Sequence, residues 1–136
     1  MPNIVDTINQ LPNLLPLKPA SDMEITDAEL QLRLSFASEY REYLLAFGAI
    51  MADGIELSGI AKSDHRSVVA LTKRERKRSP SIPHKMYVVE DTATDGVVIW
   101  QNTDGAIYRS TPTSPPTLIA ESLVEYINSS GSKSQF

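Results

Sequence analysis

The chain has 136 residues, of which 41% are apolar and 22% charged, and 13 basic against 17 acidic side chains give a formal net charge of −4. This length corresponds to one domain, which can bury about two-thirds of the surface exposed by the unfolded chain. The composition excludes collagen-like, low-complexity and wholly disordered chains. Because there is no cysteine, disulfide scaffolds, thiolate metal sites and cysteine nucleophiles are excluded as well.

The N-terminal segment lacks the pattern of a secretory signal. Its first basic residue is Lys18, and Pro12 and Pro16 interrupt the early apolar stretch. The longest apolar run, residues 44–52, is far shorter than the ~18 residues that a membrane-spanning helix needs. We therefore expect a cytoplasmic protein without a membrane partner.

The first predicted elements are a short helix and an extended linker. Ile4, Ile8 and Leu11 recur with helical spacing until Pro12, and the prolines within residues 14–21 favour an extended chain.

Two helices are predicted next. Thr26 and Glu29 have the spacing of a capping box, which would begin the second helix, and Leu30 and Leu34 would share one face of it. Ser38 is the expected N-cap of the third helix. The strongest helical stripe of the chain follows and ends at Gly48: Tyr40, Tyr43, Leu44 and Phe47.

A strand and a basic helix come after Gly54. Residues 55–58 alternate between apolar and polar side chains up to Gly59, which is typical of a half-buried strand. Residues 68–78 have a helical pattern whose second half is strongly basic, and Pro80 and Pro83 end it.

The C-terminal half predicts an antiparallel meander. Residues 86–90, 97–101 and 106–109 are rich in strand-forming side chains, and Asp104-Gly105 is a favourable two-residue hairpin turn. If these two residues form the turn, Gln101 faces Tyr108 and Trp100 faces Arg109, which would allow a cation–π contact.

The last elements are a connection, a short strand and a helix. Residues 111–116 are rich in proline, Leu118 and Ile119 could form a strand, and an apolar stripe indicates a helix from about Ala120. The polar tail, residues 128–136, is expected to be disordered.

No pattern of catalytic or ligand-binding residues stands out. The six glycines form no phosphate-binding loop, and G-x-S-x-G does not occur. The two histidines, His65 and His84, lack the spacing of a helical zinc site. Asp91 and Asp95 weakly resemble a calcium loop, but the oxygen ligands needed at its third and twelfth positions are missing. The residues therefore show no catalytic machinery, although an enzyme with an unrecognised site stays an alternative, and we expect no metal and no cofactor.

Charge is unevenly distributed along the chain. Residues 1–61 carry nine acidic and three basic side chains, a net charge of −6. Residues 62–85 carry two acidic and eight basic side chains, a net charge of +6. Residues 86–136 carry six acidic and two basic side chains, a net charge of −4, and the three charges sum to −4. The basic run over residues 73–78 could contact phosphates. The acidic overall charge and the absence of interleaved aromatic residues favour a solvated helix end instead of direct nucleic-acid binding.

The order of these segments resembles the SUKH superfamily, which contains bacterial immunity proteins and the fungal cell-wall regulators Smi and Knr. EITDAELQLRL and SEYREYLLAFGAIMADGIELSGI are similar to its first helices and its Ile-Glu-Leu-x-Gly strand. PHKMYVVEDTATDGVVIWQ, DGAIYR and LIAESLVEYI are similar to its hairpin, its Asp-Gly turn and its closing helix. The residues that match the first part are Tyr40, Leu44, Gly48, Ile55, Glu56, Leu57 and Gly59.

This resemblance implies an α+β domain, with a mainly antiparallel, meander-like sheet on which N-terminal and C-terminal helices pack. The expected organisation is a helix and linker in residues 1–23, the domain in residues 24–127, and the tail in residues 128–136.

The resemblance also implies an immunity protein that is not an enzyme and that occludes a cognate bacterial toxin domain, often a nuclease. Acidic residues in predicted turns or at strand edges could contact a basic toxin, and Trp100 could do so if it is exposed. The candidate partner-binding residues are Asp53, Glu56, Asp91, Asp95, Trp100 and Asp104. The alternative is a regulatory protein-interaction module of the Smi/Knr type that has no toxin partner.

Overall fold

The computed structural model of the chain describes residues 3–133. In that range five helices and seven strands follow one another. The helices are α1 (Ile4–Asn9), α2 (Asp22–Leu32), α3 (Ser38–Phe47), α4 (Val68–Arg78) and α5 (Leu123–Lys133). The strands are β1 (Leu15–Pro16), β2 (Ile50–Ala52), β3 (Ile55–Leu57), β4 (Met86–Asp91), β5 (Val98–Asn102), β6 (Ile107–Thr111) and β7 (Ser114–Ala120).

The strands form two antiparallel sheets. The smaller has the order β1-β2-β3, and the larger is a meander with the order β4-β5-β6-β7. The predicted α+β class with antiparallel sheets is therefore confirmed. The three-stranded sheet is an addition to the prediction, because β1 has two residues and β2 has three, too few for a clear alternating pattern.

The larger sheet is covered on both faces where β4 and β5 lie. On one face Tyr87 and Val89 of β4 join the main core with side chains from α1, α3 and α5. On the other face Val88 packs with Trp100 of β5 and Leu71 of α4. Strands β4 and β5 are therefore almost continuously buried, as expected for strands between two layers.

The predicted stripe on α3 supplies much of the main core. Tyr40, Tyr43, Leu44 and Phe47 are all buried. The hydroxyl of Tyr43 donates to the Ser58 carbonyl oxygen at 2.7 Å and accepts the Ile50 N–H at 3.1 Å. Burial raises the pKa of Tyr43 well above its ordinary value, so the phenol stays protonated and can make both bonds.

The smaller sheet joins the larger one through Ser58. Its N–H donates to the Val89 carbonyl oxygen at 2.8 Å, and its hydroxyl donates to the Val88 carbonyl oxygen at 2.6 Å. The segments that contain Gly48 and Gly59 cross beside Ser58 and leave no room for a side chain. A Cβ atom on Gly59 would lie 1.8 Å from the Gly48 carbonyl oxygen.

The start of α2 corrects the predicted capping box. The structure forms that box with Ser21 and Glu24, so the helix begins earlier and Thr26 lies inside it. Both residue pairs have the same spacing, and the earlier start buries Ile25. The predicted shared helical face of Leu30 and Leu34 is also wrong, because α2 ends at Leu32 and Leu34 lies beyond it. Glu29 accepts the Phe36 N–H at 2.8 Å instead of capping the helix.

The N-cap of α3 also differs from the prediction by one residue. Ala37 has the extended N-cap backbone and makes no side-chain cap, while Ser38 is the first helical residue. The N–H of Ala37 donates to the hydroxyl of Tyr87, a tertiary contact that no local pattern could reveal.

The β5–β6 register differs from the prediction by one residue. Trp100 pairs with Tyr108 and Gln101 with Ile107, so the loop has three residues. The Asn102 side-chain oxygen accepts the N–H groups of Asp104 and Ala106, which closes this longer loop. Arg109 is opposite Ile99. The slip places Arg109 and Trp100 on opposite faces of the sheet, and the predicted cation–π contact is wrong.

The C-terminal segment has more regular structure than predicted. The proline-rich stretch is a tight turn followed by β7, which begins at Ser114 and is an edge strand that tolerates Pro115 and Pro116. Helix α5 continues to Lys133, and the disorder predicted for the tail from residue 128 stays a prediction. The rest of the predicted tail, residues 134–136, lies outside the described residues. The division into residues 1–23, 24–127 and 128–136 stays a prediction.

Candidate functional site

Two of the predicted partner-binding acids lie on one β-hairpin of the smaller sheet. Asp53 and Gly54 form the turn between β2 and β3, and Gly54 has a φ of 79°, which favours glycine at this position. Glu56 is on β3, directly opposite Met51 of β2. Residues directly opposite in antiparallel strands project from the same face, so Glu56 and Met51 share one face of the sheet.

This outer face of the smaller sheet exposes apolar side chains. Leu15 of β1 is opposite Met51, and their exposures are 64% and 38%. By strand alternation Leu17, which is also exposed, follows on the same face. The opposite face carries Ile50 and Leu57, which are buried in the main core. We call Leu15, Leu17, Met51, Asp53 and Glu56 the outer sheet face.

Both acids of the outer sheet face have contacts within the chain. The Asp53 carboxylate accepts a hydrogen bond from the Asn13 side chain at 2.7 Å. Glu56 forms an ion pair with Arg66 at 3.4 Å, and only 14% of the Arg66 side chain is exposed. The apolar centre and charged edge of this face match the anatomy of protein–protein interfaces.

Asp91 is close to this edge of the outer sheet face. Glu56, Arg66 and Asp91 line one pocket of ≈ 100 Å³. Asp91 forms an ion pair with Arg74 at 2.8 Å. Partial burial, the largest single influence, would raise the pKa of Asp91. The hydrogen bonds from Arg74 and the Ala93 N–H, together with the charges of Arg74 and Arg78, outweigh it and lower that pKa below its ordinary value. The carboxylate is therefore ionised and already neutralised by a neighbour.

The other three predicted site residues are elsewhere. Asp95 is exposed in the β4–β5 loop and Asp104 is exposed in the β5–β6 loop, so the two lie at opposite ends of β5. Trp100 is fully buried, and its ring N–H donates to the Ser110 hydroxyl at 2.9 Å. Because it is not exposed, Trp100 has no surface to offer a partner. The six predicted residues therefore do not form one face.

The basic run on α4 is partly neutralised within the fold. Arg74 contacts Glu75 and Asp91, and Arg78 lies 3.4 Å from Glu75. Arg76 donates to the His84 carbonyl oxygen at 2.8 Å. The arginines of the run thus have partners within the chain, while Lys73 and Lys77 are exposed to solvent.

The described residues, 3–133, contain no group of three or more His, Cys, Asp or Glu side chains that could hold a metal ion. His65 is exposed and contacts the Ser63 hydroxyl. Across the same residues, no helix is both long enough and apolar enough to cross a membrane. The outer sheet face has the chemistry of a protein-contact surface.

Sequence reasoning missed the apolar half of this face. Leu15 and Leu17 lie in the proline-rich linker, where no periodic pattern separates exposed from buried side chains. Met51 lies within the longest apolar run of the chain, which favours burial. The Asp53-Gly54 pair could have indicated this hairpin in the sequence, because Asp-Gly favours a two-residue turn and such a turn places β2 beside β3.

Comparison with known proteins supports one family. The family model SUKH_5, described as SMI1-KNR4 cell-wall, matches residues 1–130. No curated protein matches the chain. The match includes α1 and β1, so it contains the linker that contributes Leu15 and Leu17 to the outer sheet face.

Proposed function

We propose, from the premise that this chain belongs to the SUKH family of SMI1-KNR4 domains, that it is a cytoplasmic immunity protein. It binds a cognate bacterial toxin domain, often a nuclease, and blocks that domain without chemical catalysis. Family membership supports a role in protein–protein interaction, and the outer sheet face is the observation that carries the proposal. Its exposed leucines and methionine supply apolar contact area, and Asp53 supplies charge at the edge.

The charge of the chain fits a basic partner. Its net charge of −4 would attract a basic nuclease over a distance and speed the encounter. Affinity would come mainly from Leu15, Leu17 and Met51, because Glu56 is already paired with Arg66. We expect Asp53→Lys to slow association with such a toxin more than it speeds dissociation.

The test is survival of cells that express the toxin domain encoded beside this gene, with and without the chain, combined with a pull-down of both proteins. Survival together with a 1:1 complex would support immunity by direct binding. The double variant Leu15→Ser/Met51→Ser should weaken the complex by about tenfold or more, because apolar side chains at an interface centre carry much of the binding energy.

Leu30→Ser is the matched control. It removes another exposed leucine, on α2, away from the outer sheet face, and binding should be unchanged. Equal loss of binding for the control and the double variant would contradict the proposed face. Death of the cells together with an absence of any complex would contradict immunity.

The second candidate function is a regulatory interaction module. The description of the matching family refers to the cell wall and not to a toxin, which favours this alternative. A regulatory module would capture cellular proteins through the same face, with weaker binding and without rescuing cells from a toxin.

A further inference from the structure

The solvent-facing side of α2 carries two large apolar side chains. Met23 is 83% exposed and Leu30 is 71% exposed, the highest values among the large apolar residues of the described chain. Seven helical positions bring Leu30 to within about 20° of Met23 around the axis, so the two share one ridge and lie about 10 Å apart. The buried residues of the same helix are on its opposite side: Ile25, Ala28 and Leu32.

One acidic and one basic side chain flank this ridge on the same side. Asp22 begins α2 and Arg33 is its C-cap, and the helical period places the two about 20° apart around the axis. Asp22 is exposed, and its ion pair with Arg41 spans 4.0 Å. Arg33 is exposed and forms no ion pair with another described residue. Both charges are therefore accessible to a partner, one at each end of the helix.

We propose that α2 is the contact surface of a homodimer, in which the α2 helices of two copies pack antiparallel across a two-fold axis. An axis midway between Met23 and Leu30 places Met23 of each copy against Leu30 of the other, so the same contact is made twice. It also brings Arg33 of one copy to within about 3 Å, measured along the helix, of the level of Asp22 in the other. The surface is thus complementary to itself in its apolar contacts and in its charges.

One contact opposes this packing. Asp27 lies near the axis on the other flank, so its two copies face each other across the dimer. The Gln31 side chain donates to the Asp27 carboxylate at 2.7 Å, which directs that charge along its own helix. The two pairs of Arg33 with Asp22 outnumber this one repulsive pair.

The size of the surface sets the expected affinity. Helix α2 has 11 residues, whereas a standard interface has about 20–30 residues on each side. We therefore expect a weak dimer, with a dissociation constant on the order of 100 µM.

The absence of cysteine permits a direct test by cross-linking. Thr26 lies between Met23 and Leu30, close to the proposed axis, so Thr26→Cys should bring two thiols within disulfide distance. At concentrations above the expected dissociation constant, mild oxidation should convert this variant to a covalent dimer. Gln31→Cys is the matched control, since Gln31 is exposed on the same helix but its two copies would be about 13 Å apart along the axis. Equal cross-linking of both variants, or none by Thr26→Cys, would overturn the proposal.

Sedimentation velocity over a range of concentrations would measure the dimer of the full chain. Met23→Ser/Leu30→Ser should raise the dissociation constant about tenfold or more, because apolar side chains at an interface centre carry much of the binding energy. Leu118→Ser is the control, since it removes an exposed leucine of β7, and dimerisation should be unchanged. A chain that stays monomeric throughout, or an equal effect of the control and the double variant, would contradict the homodimer.

An exchange of charges tests the antiparallel register. Asp22→Arg and Arg33→Asp should each raise the dissociation constant about threefold or more, because each turns two attractive pairs into repulsive ones. Asp22→Arg/Arg33→Asp restores opposite charges and should return the dissociation constant close to that of the natural chain. Asp27→Asn should tighten the dimer by removing the like charges near the axis. A double variant weaker than either single one, or weaker dimerisation of Asp27→Asn, would overturn the arrangement.

The dimer surface shares no residue with the outer sheet face, so its failure would leave the toxin assay unaffected. Leu30→Ser should weaken the homodimer and still bind the toxin, because the proposed toxin contact lies on the smaller sheet and not on α2.

Discussion

Glu39 links three parts of the fold through one carboxylate. It lies near the start of α3 and accepts the Leu123 and Val124 N–H groups at 2.7 and 3.1 Å, which caps the first turn of α5. It also accepts a hydrogen bond from the Gln101 side chain at 3.0 Å. A negative charge at a helix N-terminus satisfies free N–H groups and interacts favourably with the helix dipole.

We predict that Glu39→Gln lowers the free energy of unfolding by about 2 kcal/mol, because hydrogen bonds to a charged acceptor are lost. Urea denaturation followed by the fluorescence of the buried Trp100 would measure this change. Glu42→Gln is the control, since Glu42 is an exposed acid on the same helix, and its effect should stay within about 0.5 kcal/mol. Equal destabilisation by both substitutions would contradict the capping role of Glu39.

At the scale of elements, backbone crossings position the smaller sheet. The Gly48 carbonyl oxygen accepts the Ile60 N–H at 2.9 Å, next to the site where a Cβ atom on Gly59 would collide with that same oxygen. Gly48 ends α3 with a φ of 75°, and the Lys18 carbonyl oxygen lies against it. The linker, α3 and the segment after β3 therefore meet at two residues that lack side chains.

We predict that Gly59→Ala destabilises the fold by about 3 kcal/mol or more, since rigid backbone must move to accept the methyl group. Gly105→Ala is the comparison. Gly105 has a φ of 99° and no atom closer than 4.0 Å to an added Cβ, so it should cost only about 1–2 kcal/mol of backbone strain. Thermal unfolding of both variants would rank them, and a reversed order would show that the crossing can relax.

At the scale of the whole molecule, Glu90 connects both sheets and the C-terminal helix. It lies on β4, accepts the Glu56 N–H of β3 at 2.9 Å, and accepts the Tyr126 hydroxyl of α5 at 2.5 Å. Burial raises the pKa of Glu90, and the nearby charges of Glu56 and Asp91 raise it further, although its two hydrogen bonds oppose the shift.

This raised pKa predicts the sign of a pH effect. Between the ordinary value of 4.5 and the raised value, the folded chain binds more protons at Glu90 than the unfolded chain does. Stability relative to a variant without this group must therefore fall as pH rises through that window. The free energy of unfolding of the natural chain minus that of Glu90→Gln should decrease from about pH 4 to the raised pKa and then level off.

Urea denaturation of both proteins at several pH values would measure that difference. Asp95→Asn, which removes an exposed carboxylate from the β4–β5 loop, is the control and should show no such slope. A difference that rises with pH for Glu90→Gln would contradict a raised pKa.

Local sequence patterns correctly predicted the helices and strands that depend mainly on their own residues and the residues next to them. The basic helix has the predicted bounds, residues 68–78, because Ser67 caps it and Pro80 follows it. The stripe of α3 is buried as expected, since its spacing places four large side chains on one face. The order of strands in the meander also follows from short connections, which join neighbours in space.

The sequence alone could not discriminate between two local structures where its residues fit both equally well. Two capping boxes fit the start of α2, and burial of Ile25 favours the one formed by Ser21 and Glu24. A two-residue turn fits Asp104-Gly105, but the Asn102 side chain closes a three-residue loop and shifts the register. A register slip of one residue reverses the faces of a strand, so the environment of Trp100 depended on this contact.

Composition, periodicity and segment order therefore specify the class of fold and its antiparallel meander, while the family follows from the similarity of these segments to those of known members. The location of the candidate site depends on a contact between residues distant in the chain, the pairing of Leu15 with Met51. Helical and strand periods describe one element at a time. Which surface remains exposed is set by the packing of one element against another, and this packing also hides Trp100 and leaves Leu15 in contact with solvent.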